Sequence, residues 1–410
     1  MIETDDSNPL VSPSCDTEGR IPRLLKLLLA AGLAALSIAY LGKGFFFGAL
    51  LDASDVKRRW LEERYVLLAQ NLDPRIAVRL IRRDVIYPPW AYFSGVLLFW
   101  PPWPQVRIWF ALINLACLIW IIRFVAAYAR DQSRLDRILL VLSVTAIAAF
   151  CTTLGVGNYG VIVLALLVGA YQADEAGRPV LSGLLMGVAM LKPQLAGPFL
   201  LVALVRGRFR AVAAAMIYLF VASTAIWAIS PTNPVRMLID GAQTASIFAN
   251  TTAGPLTAVL DLGVPYRLAA PLTAIVCLAI FTPLLWRYRD RSLMLLFAIA
   301  AVLSRLWTYN LNTSNLILIF LLLALWQLAI ETRDTRAGAL FLAVGASLWV
   351  PGHLSDNHAI QLAEQLTWLG GVIGLLILDR RRSVSDELAI TRPRAEAAAV
   401  VGAETVAGRA

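Results

Sequence analysis

Two aspartates stand one helical turn apart, Asp52 and Asp55, in the run Leu51-Asp-Ala-Ser-Asp-Val-Lys-Arg-Arg-Trp60. A carboxylate held beside a hydroxyl can take its proton as a general base, and a spacing of three puts both acids on one helix face. The plain alternative for each is a helix cap or a solvated surface acid. Asp84, ahead of Tyr87-Pro-Pro, reads as a turn residue or a further acid. Lys192 lies inside an apolar stretch, with Leu184–Leu191 before it and Leu195–Val205 after it. An ionisable group within a membrane segment is costly and is by default functional; the alternative is a lysine snorkelling from the break at Pro193. Arg305 stands next to Trp307 and Tyr309. Its guanidinium suits bidentate phosphate binding, against the alternative of an interfacial anchor.

Other chemistries are excluded. Cys15, Cys117, Cys151 and Cys277 show neither pairing nor metal spacing and read as small packing residues. His353 and His358 are the only histidines. With Asp356 they fall short of a metal site and read as solvated loop residues. No glycine-rich phosphate cradle is present; no cofactor is expected, and the residues offer no metal-ligand set. The net charge of +9 resides mostly in loops, which fits topology and anionic lipid rather than nucleic acid.

These residues must be carried by membrane helices. The 410-residue chain is 59% hydrophobic and 15% charged, with mean hydropathy +0.70, whereas soluble domains carry about 25% charged residues. Apolar runs rich in Leu, Ala, Ile and Val recur along nearly the whole length, and the dyad alternation of a barrel is missing. Segments are predicted at 24–43, 88–100, 103–127, 138–154, 158–173, 179–191, 194–205, 209–230, 265–286, 292–308, 313–330, 337–350 and 364–379. Basic clusters at Arg123–Arg137, Arg206–Arg210, Arg287–Arg291, Arg333/Arg336 and Arg380–Arg382 belong on the cytoplasmic side. Cytoplasmic ends require an even number of crossings, so about 12 transmembrane helices are expected. The segment that does not cross is Tyr87–Trp100, or else the Val180–Val205 stretch broken at Pro193. Residues 24–41 read as a retained first helix rather than a signal peptide.

One membrane domain, 23–382, is expected between disordered cytoplasmic tails at 1–22 and 383–410. Its first outer loop, 44–86, reads as two amphipathic helices lying on the surface. One starts at Asp73-Pro74 and gathers Arg75, Arg79, Arg82 and Arg83 on a face. The other covers 54–70, with Val56, Trp60, Leu61, Tyr65 and Leu68 on its apolar side and Lys57, Arg58, Glu62 and Arg64 on its polar side. Tyr87-Pro-Pro shapes the entrance to the next helix. Trp90, Trp100, Trp103, Trp109, Trp307 and Trp326 read as interfacial belt anchors.

In this order, the acidic loop after the first helix, Glu63-Arg-Tyr65, Tyr87-Pro-Pro-Trp90, Gly157-Asn-Tyr159, Leu191-Lys-Pro-Gln194 and Ser304-Arg-Leu-Trp-Thr-Tyr309, together spanning about residues 24–380, resemble the GT-C superfamily of glycosyltransferases. Within it the chain most resembles the bacterial polyprenyl-phosphate-mannose-dependent α-mannosyltransferases. The resemblance implies an all-α, GT-C-like, polytopic protein of the inner membrane with its site on the extracytoplasmic face. It implies transfer of a hexose, mannose first, from a polyprenyl-phosphate sugar to a glycan or glycolipid by an inverting displacement. Asp55, with Asp52 as the second choice, takes the place of the base. Lys192 and Arg305 take the donor phosphate, and Gln194, Asn158, Tyr309, Asn310 and Tyr87 take the sugar. Asn310 stands where members often have a histidine, and Gln70-Asn-Leu-Asp-Pro74 lacks a Pro-Tyr often found there. The rival readings are a transporter or lipid flippase, for which the expected internal repeat is not visible, and a noncatalytic scaffold of the same fold.

Overall fold

In the computed structural model, the described residues are 17–51, 53–68, 87–230, 233–249, 253–309, 311–351, 354 and 357–381. They contain helices and turns and no strand. In chain order the α-helices are α1 (Thr17–Phe46), α2 (Ser54–Leu68), α3 (Pro89–Phe99), α4 (Gln105–Tyr128), α5 (Arg134–Thr145), α6 (Ala149–Val156), α7 (Gly160–Glu175), α8 (Pro179–Ala189), α9 (Pro193–Val205), α10 (Phe209–Ile229), α11 (Pro234–Ala245), α12 (Pro255–Asp261), α13 (Tyr266–Arg287), α14 (Leu293–Leu306), α15 (Ile319–Thr332), α16 (Thr335–Trp349) and α17 (His358–Arg381). A π-turn at Phe47–Leu51 extends α1, and a 3₁₀ segment at Asn312–Leu318 leads into α15. Residues 1–16, the C-terminal tail and the basic helix expected from Asp73 lie outside the described residues, whereas 17–22, expected in the N-terminal tail, begin α1.

The expected number of spans is overturned. Six helices are long and apolar enough to cross: 23–51, 105–128, 209–229, 266–287, 312–332 and 358–381, or seven if α5 and α6, bent by 50° at their junction, form one span. α3, α8, α9 and α14 are apolar but have only 11 to 14 residues. At 1.5 Å per residue that is about 16–21 Å, short of a hydrocarbon core of about 30 Å. The sequence placed these segments closely, but apolar composition alone does not distinguish a full span from a helix that stops halfway. Prolines at the first helical position start α3, α8 and α9, where the missing N–H has no intrahelical partner to lose.

Of the short helices, α14 is enclosed by protein along its whole length. All 14 residues of α14 are buried, and so are residues 313–326 of the 312–332 helix. Phe199, Phe297 and Phe320 interlock there with centroids 4.9–5.4 Å apart. Other long helices turn Phe220, Ile275 and Ile373 outward, as a lipid-facing surface requires. Asp174 at the end of α7 pairs with Arg206 and Arg208 beyond α9. The α8–α9 hairpin therefore returns to the side it left, with its Lys192–Pro193 tip at the opposite end.

The expected orientation of residues 54–70 is also overturned. α2 forms, but it buries Arg59, Glu62 and Glu63 together with Val56, leaving Lys57 exposed. Arg59 pairs with Glu62, so the charges enter as a compensated set. Glu63 lies against α3, where Gly95 admits it: a Cβ on Gly95 would fall 1.6 Å from Glu63 Oε1. Burial, reinforced by Glu62, pushes the Glu63 carboxyl well above the usual carboxylate range. A helix that reads as amphipathic by pattern is thus turned by pairing and by a glycine slot.

Close helix approach gives the first prediction. A Cβ on Gly183 of α8 would fall 2.0 Å from the Ala211 carbonyl of α10. Gly183→Val is expected to destabilise the protein by about 1–3 kcal/mol, seen as a lower melting temperature in detergent. Gly338→Ala, at a position with nothing within 4 Å, is the control and leaves the melting temperature unchanged or slightly raised.

Candidate active site

The site is assembled where three chain breaks converge. The first is the end of α1, whose last carbonyls, Leu50 and Leu51, each accept from Arg107 Nη1 at 3.2 Å. Ala53, with φ 45, turns the chain into α2, and Asp55 falls in the first turn. Unpaired backbone N–H groups and the helix dipole favour a carboxylate at that position. On its other side α2 is fixed by Trp60, whose Nε1 donates to the Pro101 carbonyl at 2.9 Å.

The second break is Gly157-Asn158-Tyr159, between α6 and α7. Gly157 has φ +73, the left-handed conformation that ends a helix at little cost only for glycine. A Cβ here would also lie 2.0 Å from Val56 Cγ2. The turn can therefore seat directly against the residue after Asp55. Asn158 is buried, with its backbone N–H on the Thr153 carbonyl at 2.8 Å.

The third break is the α8–α9 tip. The Met190 carbonyl lies at the end of α8, past its last helical residue, and Pro198 inside α9 cannot donate to the Gln194 carbonyl four residues earlier. Trp90 Nε1 donates to the Met190 carbonyl and Trp307 Nε1 to the Gln194 carbonyl, each at 2.8 Å. These two tryptophans hold the break rather than only marking an interface. Lys192 is 4% exposed. Its ammonium donates to Asn158 Oδ1, and Asn158 Nδ2 donates to Asp55 Oδ2 at 2.9 Å. Burial lowers the Lys192 ammonium to about 8; Asp55 opposes this, while Arg305 and Arg59 add to it.

Asp55, Tyr87, Asn158, Lys192, Gln194 and Tyr309 line one polar cavity of about 90 Å³, together with Arg58, Arg59, Pro193, Leu311 and Ser314. Arg58, Arg59 and Lys192 share this lining with Asp55, and Arg59 is also paired with Glu62. Tyr87, Pro193, Gln194 and Tyr309 also line an adjoining groove of about 260 Å³, whose other walls include Met237, Leu238, Leu256 and Trp307. Polar and apolar spaces thus share a wall. Arg305 is not in this cavity. It lines a small neighbouring pocket with Thr257, Thr308, Tyr309 and Gln365. Its Nη1 donates to the Leu311 carbonyl at 3.1 Å, and its guanidinium lies 5.6 Å from the Trp368 ring centroid. Asp52, Asp84, Asn310, His353 and Asp356 lie outside the described residues. His358 is exposed at the start of α17. No group of three or more His, Cys, Asp or Glu side chains that could hold a metal occurs among the described residues.

Sequence reasoning did not single out Arg59, which is 5% exposed and stacked 4.1 Å from the Tyr87 ring centroid. The signal was available: Arg59 is four residues after Asp55 and three before Glu62, so all three share a helix face. It also missed α11 and α12, whose Met237, Leu238 and Leu256 wall the groove.

Long apolar helices around a buried polar cavity that adjoins an apolar groove define a multi-pass membrane protein. Over residues 86–308, more than half its length, the chain matches the family model described as Glycosyltransferase family 87. It belongs to that family, which lies within the GT-C-like superfamily and is associated with polyprenyl-phosphate sugar transfer. No curated protein and no solved structure matches the chain.

The Gly157 turn supplies the second prediction. Gly157→Ala forces a left-handed alanine, at about 1–2 kcal/mol, and a clash with Val56. A lower melting temperature is expected, and adding Val56→Ala recovers part of it by removing the clash but not the backbone strain.

Proposed function

We propose that the protein transfers a hexose, with mannose as the first choice, from a polyprenyl-phosphate sugar to an extracytoplasmic glycan or glycolipid. One membrane unit, 23–382, carries the reaction, and its cavity faces the extracytoplasmic side. The observation that carries this reading is the meeting of Asp55 and a buried lysine in a polar cavity that shares a wall with an apolar groove. A donor of this class has three parts, and the site offers a place for each. The isoprenoid lies in the groove beside Met237 and Leu238. The phosphate lies beside Lys192, with Arg59 close by. The sugar lies against Tyr87, Gln194 and Tyr309, with Asn310 in the adjoining segment.

In the reaction, the acceptor hydroxyl oxygen attacks the anomeric carbon from the face opposite the phosphate. The new carbon–oxygen bond forms as the bond to the phosphate oxygen breaks, and that oxygen leaves with the electron pair. The hydroxyl proton passes to Asp55, so the carboxylate acts as general base and the ammonium stabilises the charge that develops on the departing phosphate. Asp52 is retained as the second acid of the loop. We place Arg305 behind Tyr309, where it ties the Leu311 backbone to the last helix.

Two measurements test the reading with purified protein in nanodiscs, a short-chain polyprenyl-phosphate-mannose donor and membrane lipid extract as the acceptor pool. Asp55→Asn is expected to cut transfer about 10²–10⁴-fold without changing elution or melting behaviour. A chain that moves or flips lipid instead would leave wild type and variant alike in this assay. The second measurement is pH dependence. Deprotonation of Lys192 near pH 8 removes a cation from the phosphate site. For the donor, kcat/KM should be level below that pH and fall as pH rises through it. Lys192→Arg, which keeps its charge, should remove that fall; an unchanged alkaline limb in this variant would separate Lys192 from donor binding.

A further inference from the structure

Asn158 is where the charged groups of the cavity meet. Its Oδ1 accepts from the Lys192 ammonium and from the Gly160 backbone N–H at 3.1 Å. Its Nδ2 donates to Asp55 Oδ2 at 2.9 Å. The flipped amide would set an NH₂ against an ammonium and an N–H, three donors without an acceptor, so the orientation is forced. Among the described residues no ion pair joins Lys192 to Asp55. A neutral amide stands between them.

We propose that Asn158 is a positioning residue that holds the base carboxylate and the phosphate-binding lysine as one unit while keeping them from pairing directly. Its functional meaning rests on the sugar-transfer reading above; its structural content rests on the hydrogen bonds alone. A direct lysine–aspartate pair would engage the ammonium needed by phosphate and stabilise the carboxylate against taking a proton. With the amide interposed, Asp55 Oδ2 is engaged and Oδ1 is the oxygen left for the incoming hydroxyl. The other groups around the pair are Arg58 and Arg59 from α2, Tyr87 before α3 and Tyr309 after α14, with Arg305 beyond.

Asn158 rather than a smaller residue is required because the amide must reach in two directions from a turn locked by Gly157. The sequence reading gave Asn158 a sugar contact. Both ends of its amide are already engaged within the protein, so positioning accounts for it better than substrate contact.

The test uses full-length protein in nanodiscs and the background Lys192→Met, which removes the ammonium that would otherwise collapse onto Asp55. Infrared titration follows the Asp55 carboxylate band, assigned by its loss in Lys192→Met/Asp55→Asn. Adding Asn158→Leu to Lys192→Met removes one hydrogen bond to the carboxylate and should raise its midpoint by about one pH unit. A midpoint that does not move overturns the proposal, whatever the activity. In the otherwise native chain, Asn158→Leu should lower kcat about 100-fold with a smaller change in the donor KM. A loss confined to KM also overturns it, because Asn158 would then contact substrate. If the midpoint moves but the wild type transfers no sugar from any polyprenyl-phosphate donor, the positioning role stands and the transfer reading fails. Should Asn158→Leu alone misfold, the two Lys192→Met chains still decide the question, since they leave no buried ammonium without a partner.

Discussion

A lysine ammonium cannot be left alone in an apolar interior. An isolated buried charge is prohibitively unfavourable, and the group either finds partners or loses its proton. Lys192 is 4% exposed at the tip of a hairpin between apolar helices, and much of the surrounding architecture follows from satisfying it. Pro193 breaks the helix so that the side chain leaves the hairpin at its end. Trp90 and Trp307 take the carbonyls left open by the end of α8 and by Pro198 in α9. Asn158 supplies the acceptor, and Asp55 supplies a compensating charge one amide away. The left-handed Gly157, pressed on Val56, is what allows two helices distant in sequence to bring these groups within bonding distance.

The same constraint governs the charges that α2 does bury. Arg59 and Glu62 enter together and cancel, and Glu63 fits a slot made by a missing side chain at Gly95. The result is a polar compartment whose wall of tyrosines and Gln194 is also the wall of an apolar groove. An amphiphile needs that adjacency, because its charged and hydrocarbon parts cannot be accommodated by one kind of surface.

Helix length follows a related logic. A helix facing lipid must span the hydrocarbon or leave backbone groups without partners. A helix enclosed by protein need not, because neighbouring helices supply the solvent. α14 is buried at all 14 positions, and α8 ends and α9 begins at the site, where a polar group is wanted. Short apolar helices are the means by which this fold places polar chemistry at depth.

How much of this was legible beforehand differs by level. Apolar composition and run length carried the membrane class and nearly every helix position, because burial in lipid leaves its mark on each stretch separately. Asp55, Asn158, Lys192 and Gln194 could each be named from residue type and from the resemblance of short motifs. Their adjacency could not, since residues 103 and 34 positions apart meet only through a turn whose fit depends on Val56. The number of spans was misjudged because hydropathy does not record whether lipid or protein surrounds a helix. The facing of α2 was misjudged because a pattern of apolar and charged residues does not say that the charges will cancel inside. The sequence by itself determined which stretches leave water and which residues have the right chemistry. The tertiary structure decided which of those stretches cross, which way α2 faces and which residues touch, because all three depend on partners that lie far away along the chain.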